Sequence, residues 1–185
     1  MNRTDREDSA ALKTFGRPRA LETIIPGGLA IGILDMLFAF TFYGLILKVP
    51  MIRIFQSVAA GVIGRTAAID GGVRTFLLGL LMHFVVATCI AAVYYLATLA
   101  LPVLLRYAVP SGLIYGVAAY FGMKYVVVPL SAIGRRGTLP QLSILITEII
   151  GHALFVGLPP ALLARRSARA NRNGRDSGAR DGRSS

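Results

Sequence analysis

Five ionisable residues lie inside otherwise apolar stretches of this 185-residue chain: Asp35, His83, Lys124, Glu148 and His152. Their types carry chemistry. Histidine as a residue type changes charge near neutral pH, and runs of Asp, Glu and His are how intramembrane proton relays are made. Two imidazoles with carboxylates also suit zinc or a similar ion, and His83 with His152 is the minimum for a bis-histidine haem. No compact motif such as HExxH accompanies them, so no metal and no cofactor is implied. The plainer reading is a satisfied polar cluster that fixes helix register, since interhelical polar contacts are common in membranes. For Lys124 taken alone, snorkelling to the interface explains its position as well as chemistry does.

Other catalytic schemes find no footing. Ser57, Ser111, Ser131 and Ser143 have no GxSxG context, and neither a P-loop nor a dinucleotide fingerprint occurs. The sequence therefore reads as a non-enzyme. Cys89 is the single cysteine, so it forms no intrachain disulfide and no CxxC pair. It reads as a small core residue.

The elements that position the five residues follow from apolar length. A bilayer core takes about 20 apolar residues in a helix. Four segments qualify: 24–47, holding Asp35; 73–101, holding His83; 108–129, with Lys124 near its end; and 142–164, with Glu148 and His152. Spanning segments satisfy their own backbone groups, so helices are expected, and the alternation of a membrane barrel is missing. Composition agrees: 55% of residues are hydrophobic and the mean hydropathy is +0.63, above the usual share for soluble domains. The formal net charge of +11 would fit nucleic acid. Here, however, the basic residues flank the apolar spans as the positive-inside rule expects, so no nucleic-acid partner is expected.

Between the first two spans, residues 51–69 place Arg53, Gln56, Ser57, Gly61, Gly64 and Arg65 on one helical stripe. This predicts an amphipathic helix in the interface or packed over the mouth of the bundle. A fifth span would carry two Arg and a Gln into lipid. The expected fold class is thus all-α, an integral membrane four-helix bundle with an interfacial amphipathic helix between spans one and two. Its transmembrane domain would cover residues 23–164.

The flanks differ in kind. Residues 1–22 read as a solvated arm, partly helical near residues 12–15. Residues 165–185 hold seven Arg and two Asp among small polar residues, the composition of a disordered tail drawn to anionic lipid head groups. The first apolar run is too long for a signal h-region and no A-x-A-like site closes it, so it reads as an uncleaved anchor. The arm, the tail and Arg106 carry thirteen Lys and Arg, against six on the other side of the spans. This excess predicts a multi-pass protein of the cell inner membrane with both termini in the cytoplasm.

Depth within the spans predicts which ionisable groups meet. At about 1.5 Å per residue, Asp35 lies about twelve residues below the outer end of its span, and His83 and His152 about ten below theirs. Glu148 stacks one turn above His152, because i and i+4 are neighbours. Lys124, about five residues below its outer end, falls near the level of Glu148. The expectation is one connected column of Lys124, Glu148, His152, Asp35 and His83. Small residues would provide the helix contacts: Gly28 with Gly32, Gly112 with Gly116, and Gly151 in span four. The same steps serve dimerisation, so a homo-oligomer is open to the chain. The Pro159-Pro160 pair is expected to kink or end span four early.

Thr147-Glu148-Ile149-Ile150-Gly151-His152, followed by an apolar run and Arg165-Arg166, resembles the last helix of the YagU-like bacterial inner-membrane proteins. Leu81-Met82-His83, Gly112, Gly116 and Val128-Pro129-Leu130 fall in the order of that family, as does the glycine-rich start of span one. The likeness covers most of residues 27–166, with residues 49–72 departing from it and Asp35 standing outside it. It implies a multi-pass inner-membrane protein connected with coping with acid. The functional expectation is a proton-responsive or proton-conducting cluster, with His83 and His152 titrating, Asp35 and Glu148 as their partners and Lys124 as a counter-ion. The alternative is a non-catalytic membrane scaffold or accessory subunit in which the cluster only fixes helix packing.

Overall fold

The structure, a computed structural model, describes residues 15–134 and 141–181. Four helices are long and apolar enough to cross a membrane: α1 (Ala20–Ile46), α4 (Gly72–Ala100), α6 (Ala108–Leu130) and α7 (Leu142–Gly174). Two short helices, α2 (Met51–Ile63) and α3 (Arg65–Asp70), join α1 to α4, and one turn of helix, α5 (Val103–Arg106), joins α4 to α6. The chain is an all-α, four-helix membrane bundle. Its lipid-facing character shows in exposed Leu29, Leu37, Leu81, Leu96, Ile114, Ile146 and Ile150. Such side chains cost nothing in hydrocarbon and would be costly in water.

The bundle has two distinct ends. At one, the segment before α1, the end of α4, α5, the start of α6 and the far part of α7 share a core of Phe15, Tyr94, Leu105, Ala108, Ala161, Ala164 and Ala168. At the other, α2 lies across the first turns of α4. Gly79 makes this close approach possible, because a Cβ there would run into the Phe55 carbonyl. The loop after α6 completes this end, with the Ala132 amide donating to the Gly61 carbonyl at 2.9 Å.

The stretch 51–69, expected as one amphipathic helix, is two helices. Gly64 separates them at φ +81° and ψ 163°, a backbone conformation open to glycine and closed to most side chains. The expected polar stripe is also used differently. Gln56 is only 3% exposed. Its amide donates to the Gly72 carbonyl at 3.1 Å and accepts from Arg53 at 3.0 Å. Arg53, Gln56 and Arg65 therefore line a pocket against Ile69, and Phe55 is the side chain that points into the bundle, its ring 5.9 Å from that of His83.

Of the kink or early end expected at the proline pair, the early end does not occur: helix continues over Leu158–Asp181. A π-helical segment, His152–Gly157, immediately precedes Leu158-Pro159-Pro160. Its widened turn accommodates carbonyls that proline cannot bond and relieves the ring clash that would otherwise break the helix. Beyond the prolines, Ala161, Ala164 and Ala168 form a small-residue stripe sealed by Phe15. The Gly16 amide donates to the Ala168 carbonyl at 3.1 Å, and the Arg19 amide to Ser167 Oγ at 2.9 Å. Burial of that stripe, which composition does not register, is what extends the helix. The expected helical turn near residues 12–15 lies almost wholly outside the described residues.

The glycine steps are used within the protomer. Gly28 abuts Thr88, Gly32 abuts Phe84, Gly151 abuts the Phe38 ring, and Gly112 and Gly116 face the backbone of α7 at His152, Gly157 and Leu158.

Candidate functional site

The polar centre of the bundle is built on Glu148. From α7 its carboxylate accepts hydrogen bonds from two phenols on two other spans: Tyr43 of α1, at very short range, and Tyr120 of α6, at 2.6 Å. Lys124, one turn beyond Tyr120 on the same face of α6, donates to the Tyr120 hydroxyl at 2.7 Å and stands 3.8 Å from Glu148. Its ammonium also sits 5.1 Å from the centre of the Tyr120 ring, where the ring quadrupole attracts a cation. The connected chain therefore runs Lys124, Tyr120, Glu148, Tyr43 and ties α6 to α7 to α1. Glu148 and Lys124 keep 18% and 25% of their side-chain surface open, so the network is half-buried.

His152 belongs to the edge of this network. Its Nδ1 lies 3.0 Å from the Glu148 carbonyl, one turn back. A carbonyl only accepts, so Nδ1 carries the hydrogen. The ring meets Tyr120 edge-on at 5.1 Å. His83 stands apart. Its Nε2 lies 2.9 Å from the Gly32 carbonyl of α1, which again makes the imidazole the donor. Its ring packs against Phe55 and Phe84 at 5.9 and 5.6 Å. Asp35 lies within electrostatic reach of the Tyr43 hydroxyl, but it forms no hydrogen bond or ion pair among the described residues.

The structure thus brings Lys124 and Glu148 together, places His152 against them, and leaves His83 and Asp35 outside. The single column expected from depth is interrupted. Depth along a helix says nothing about the direction in which a residue faces, and three spans depart from regular α geometry near the site. Phe40–Ile46, Met123–Val127 and His152–Gly157 are π-helical and carry Tyr43, Lys124 and His152. Such turns often mark functional positions. Among the described residues, no group of three or more His, Cys, Asp or Glu converges as metal ligands would.

The two tyrosines were not among the residues selected from the sequence. Tyr120 had a usable signal, four residues before Lys124 and so on its face. Tyr43 had only its position near the outer end of span one. Selection by charge passes over phenols, although a Tyr hydroxyl buried in a bundle needs a partner as much as a carboxylate does.

No family model, curated protein or solved structure matches this chain.

Proposed function

We propose that this multi-pass membrane protein is a non-catalytic component of a bacterial inner membrane in which the Glu148 network locks three spans together. The observation that carries the reading is the Glu148 carboxylate itself, on α7, accepting from Tyr43 on α1 and Tyr120 on α6 with Lys124 alongside. A carboxylate with this many donors is stabilised where it stands, and interhelical bonds of this kind fix which faces of the helices meet. Both termini are assigned to the cytoplasm, supported by the excess of Lys and Arg on their side. Membership of the YagU-like group rests on the Thr147–His152 motif and its companions in spans two and three.

A second reading has its own support. Glu148 and Lys124 are not fully enclosed by the protein, and a neutral side chain at position 148 would have no charge attraction to Lys124. The cluster would then pass protons through Glu148 as well as hold the helices. Glu148→Gln, which keeps the shape and removes the charge, separates the two. Purified wild type and variant would be reconstituted in proteoliposomes and followed for pH-dependent proton flux, with thermal unfolding in parallel. A locking role gives no pH-dependent flux in either protein and a lower melting temperature for the variant. Wild-type flux that disappears in a still-folded Glu148→Gln protein would replace the lock with a proton-handling site.

A further inference from the structure

On the end of the bundle where Phe15 packs, Leu162, Arg165, Arg166 and Arg169 line a surface pocket of about 360 Å³. Their spacing of i, i+3, i+4 and i+7 puts them on one face of α7. The opposite face, Ala161, Ala164 and Ala168, is buried in the protein. At about 1.5 Å per residue the four span on the order of 10 Å along the helix axis. The order along that axis matters: exposed Leu162 lies on the membrane side, and the three arginines follow where the helix leaves the apolar span.

Arg165 and Arg169 are held in place without a counter-charge among the described residues. Arg165 and Arg169 both lie over the Phe15 ring, at 5.7 and 5.3 Å from its centre, and a ring face attracts a guanidinium while leaving its N–H edge unused. Arg165 Nε is buried and has no hydrogen-bond partner among the described residues. No described carboxylate pairs with Arg165, Arg166 or Arg169 either; the ion pairs found are Arg19 with Glu22 and Lys124 with Glu148. A buried donor without an acceptor is costly. Three guanidinium groups pre-set around one pocket call for a polyvalent anionic acceptor, and their fork geometry matches phosphate oxygens.

We infer that this pocket is a binding site for the phosphate head group of an anionic phospholipid, with Arg165, Arg166 and Arg169 holding the phosphodiester and Leu162 bordering the first part of an acyl chain. A free phosphate ion would satisfy the arginines but would gain nothing from Leu162 at the pocket's membrane edge. The site is a defined one on α7. It is separate from any diffuse attraction of basic residues to a charged surface, and it does not depend on the Glu148 network.

The test uses the full chain in detergent, titrated with short-chain phosphatidylglycerol, with phosphatidylcholine and inorganic phosphate as separate arms, and reads the melting temperature and lipid-bound mass. Phosphatidylglycerol should bind and raise the melting temperature where phosphatidylcholine does not. Each arginine removed should weaken binding about tenfold, as expected for loss of one hydrogen bond to a charged group. Because Arg165 and Arg169 also contact Phe15, Arg166→Gln is the cleaner variant. The matched control, Arg17→Gln with Arg106→Gln, removes more charge from exposed positions that do not line the pocket and should leave binding within about twofold. Equal loss in the control and in Arg166→Gln would overturn the site in favour of diffuse charge. An equal shift with inorganic phosphate alone would overturn the lipid assignment. Lipid binding that emerges only after Asp5, Glu7 and Asp8 are replaced by their amides would give the pocket to the chain's own arm and also overturn it.

Discussion

Spans α6 and α7 are fastened to each other twice, by opposite means. Along one half of the contact, Gly112 and Gly116 meet Gly157, and backbone lies against backbone. Two turns further, where Tyr120 and Lys124 replace glycine, the helices are joined by hydrogen bonds through Glu148 instead. The first fastening is dispersion at close range, and it requires that nothing occupy the seam. The second fills a wider gap with side chains and recruits α1 through Tyr43. In lipid, where apolar burial drives no helix association, these are the two means left. The comparison teaches that the dry seam sets how close the helices come and the polar network sets which faces they present.

The comparison can be broken most severely at the seam. Gly157→Val would drive a side chain into the Gly112 carbonyl and the Gly116 backbone. A loss of about 3 kcal/mol or more is expected for overpacking a contact with no give, read as a collapse of the folded fraction in a denaturant titration. Glu148→Ala comes next. It leaves two phenols without their acceptor and Lys124 without its counter-charge and should cost about 1–2 kcal/mol, given the modest worth of interhelical hydrogen bonds in membranes. An equal or larger loss than Gly157→Val would reverse the ranking of the two fastenings. Tyr120→Phe and Tyr43→Phe sharpen the second fastening. Each should cost about 0.6 kcal/mol, with Tyr120→Phe the larger because it also releases Lys124. The smallest effect is expected at Asp35→Asn, within about 0.5 kcal/mol in the same titration, since Asp35 has no hydrogen-bond partner among the described residues. A loss above 1 kcal/mol there would reveal a third fastening.

Much of the fold was legible because apolar length is a coarse and strong signal. The expected spans 24–47, 73–101 and 108–129 fall on α1, α4 and α6 within a few residues. The fourth was cut short because Pro159-Pro160 and seven arginines each argue against helix when read locally. Contact with Phe15, Tyr94, Leu105 and Ala108, all far away in sequence, supplies the burial that continues it. At the site, Lys124 beside Glu148 was legible from depth and His152 from its i+4 spacing. His83 and Asp35 were grouped with them because depth ignores azimuth, which widened turns alter. The role of Gln56 in joining α2 to the start of α4 was hidden for a related reason: an amphipathic stripe shows where polarity lies, not what receives it.

The three widened turns have a consequence for how the chain tolerates change in length. A π-helical turn holds one residue more than the ladder around it needs, so everything beyond it is rotated by about 100° relative to an unbroken α-helix. Removing one residue within Phe40–Ile46, Met123–Val127 or His152–Gly157 would leave a span that is still long and apolar enough to insert. It would nevertheless turn Tyr43, Lys124 or His152 away from its partner. Single-residue deletions there should separate membrane insertion from correct assembly, and a descendant carrying one would retain its topology while losing its centre.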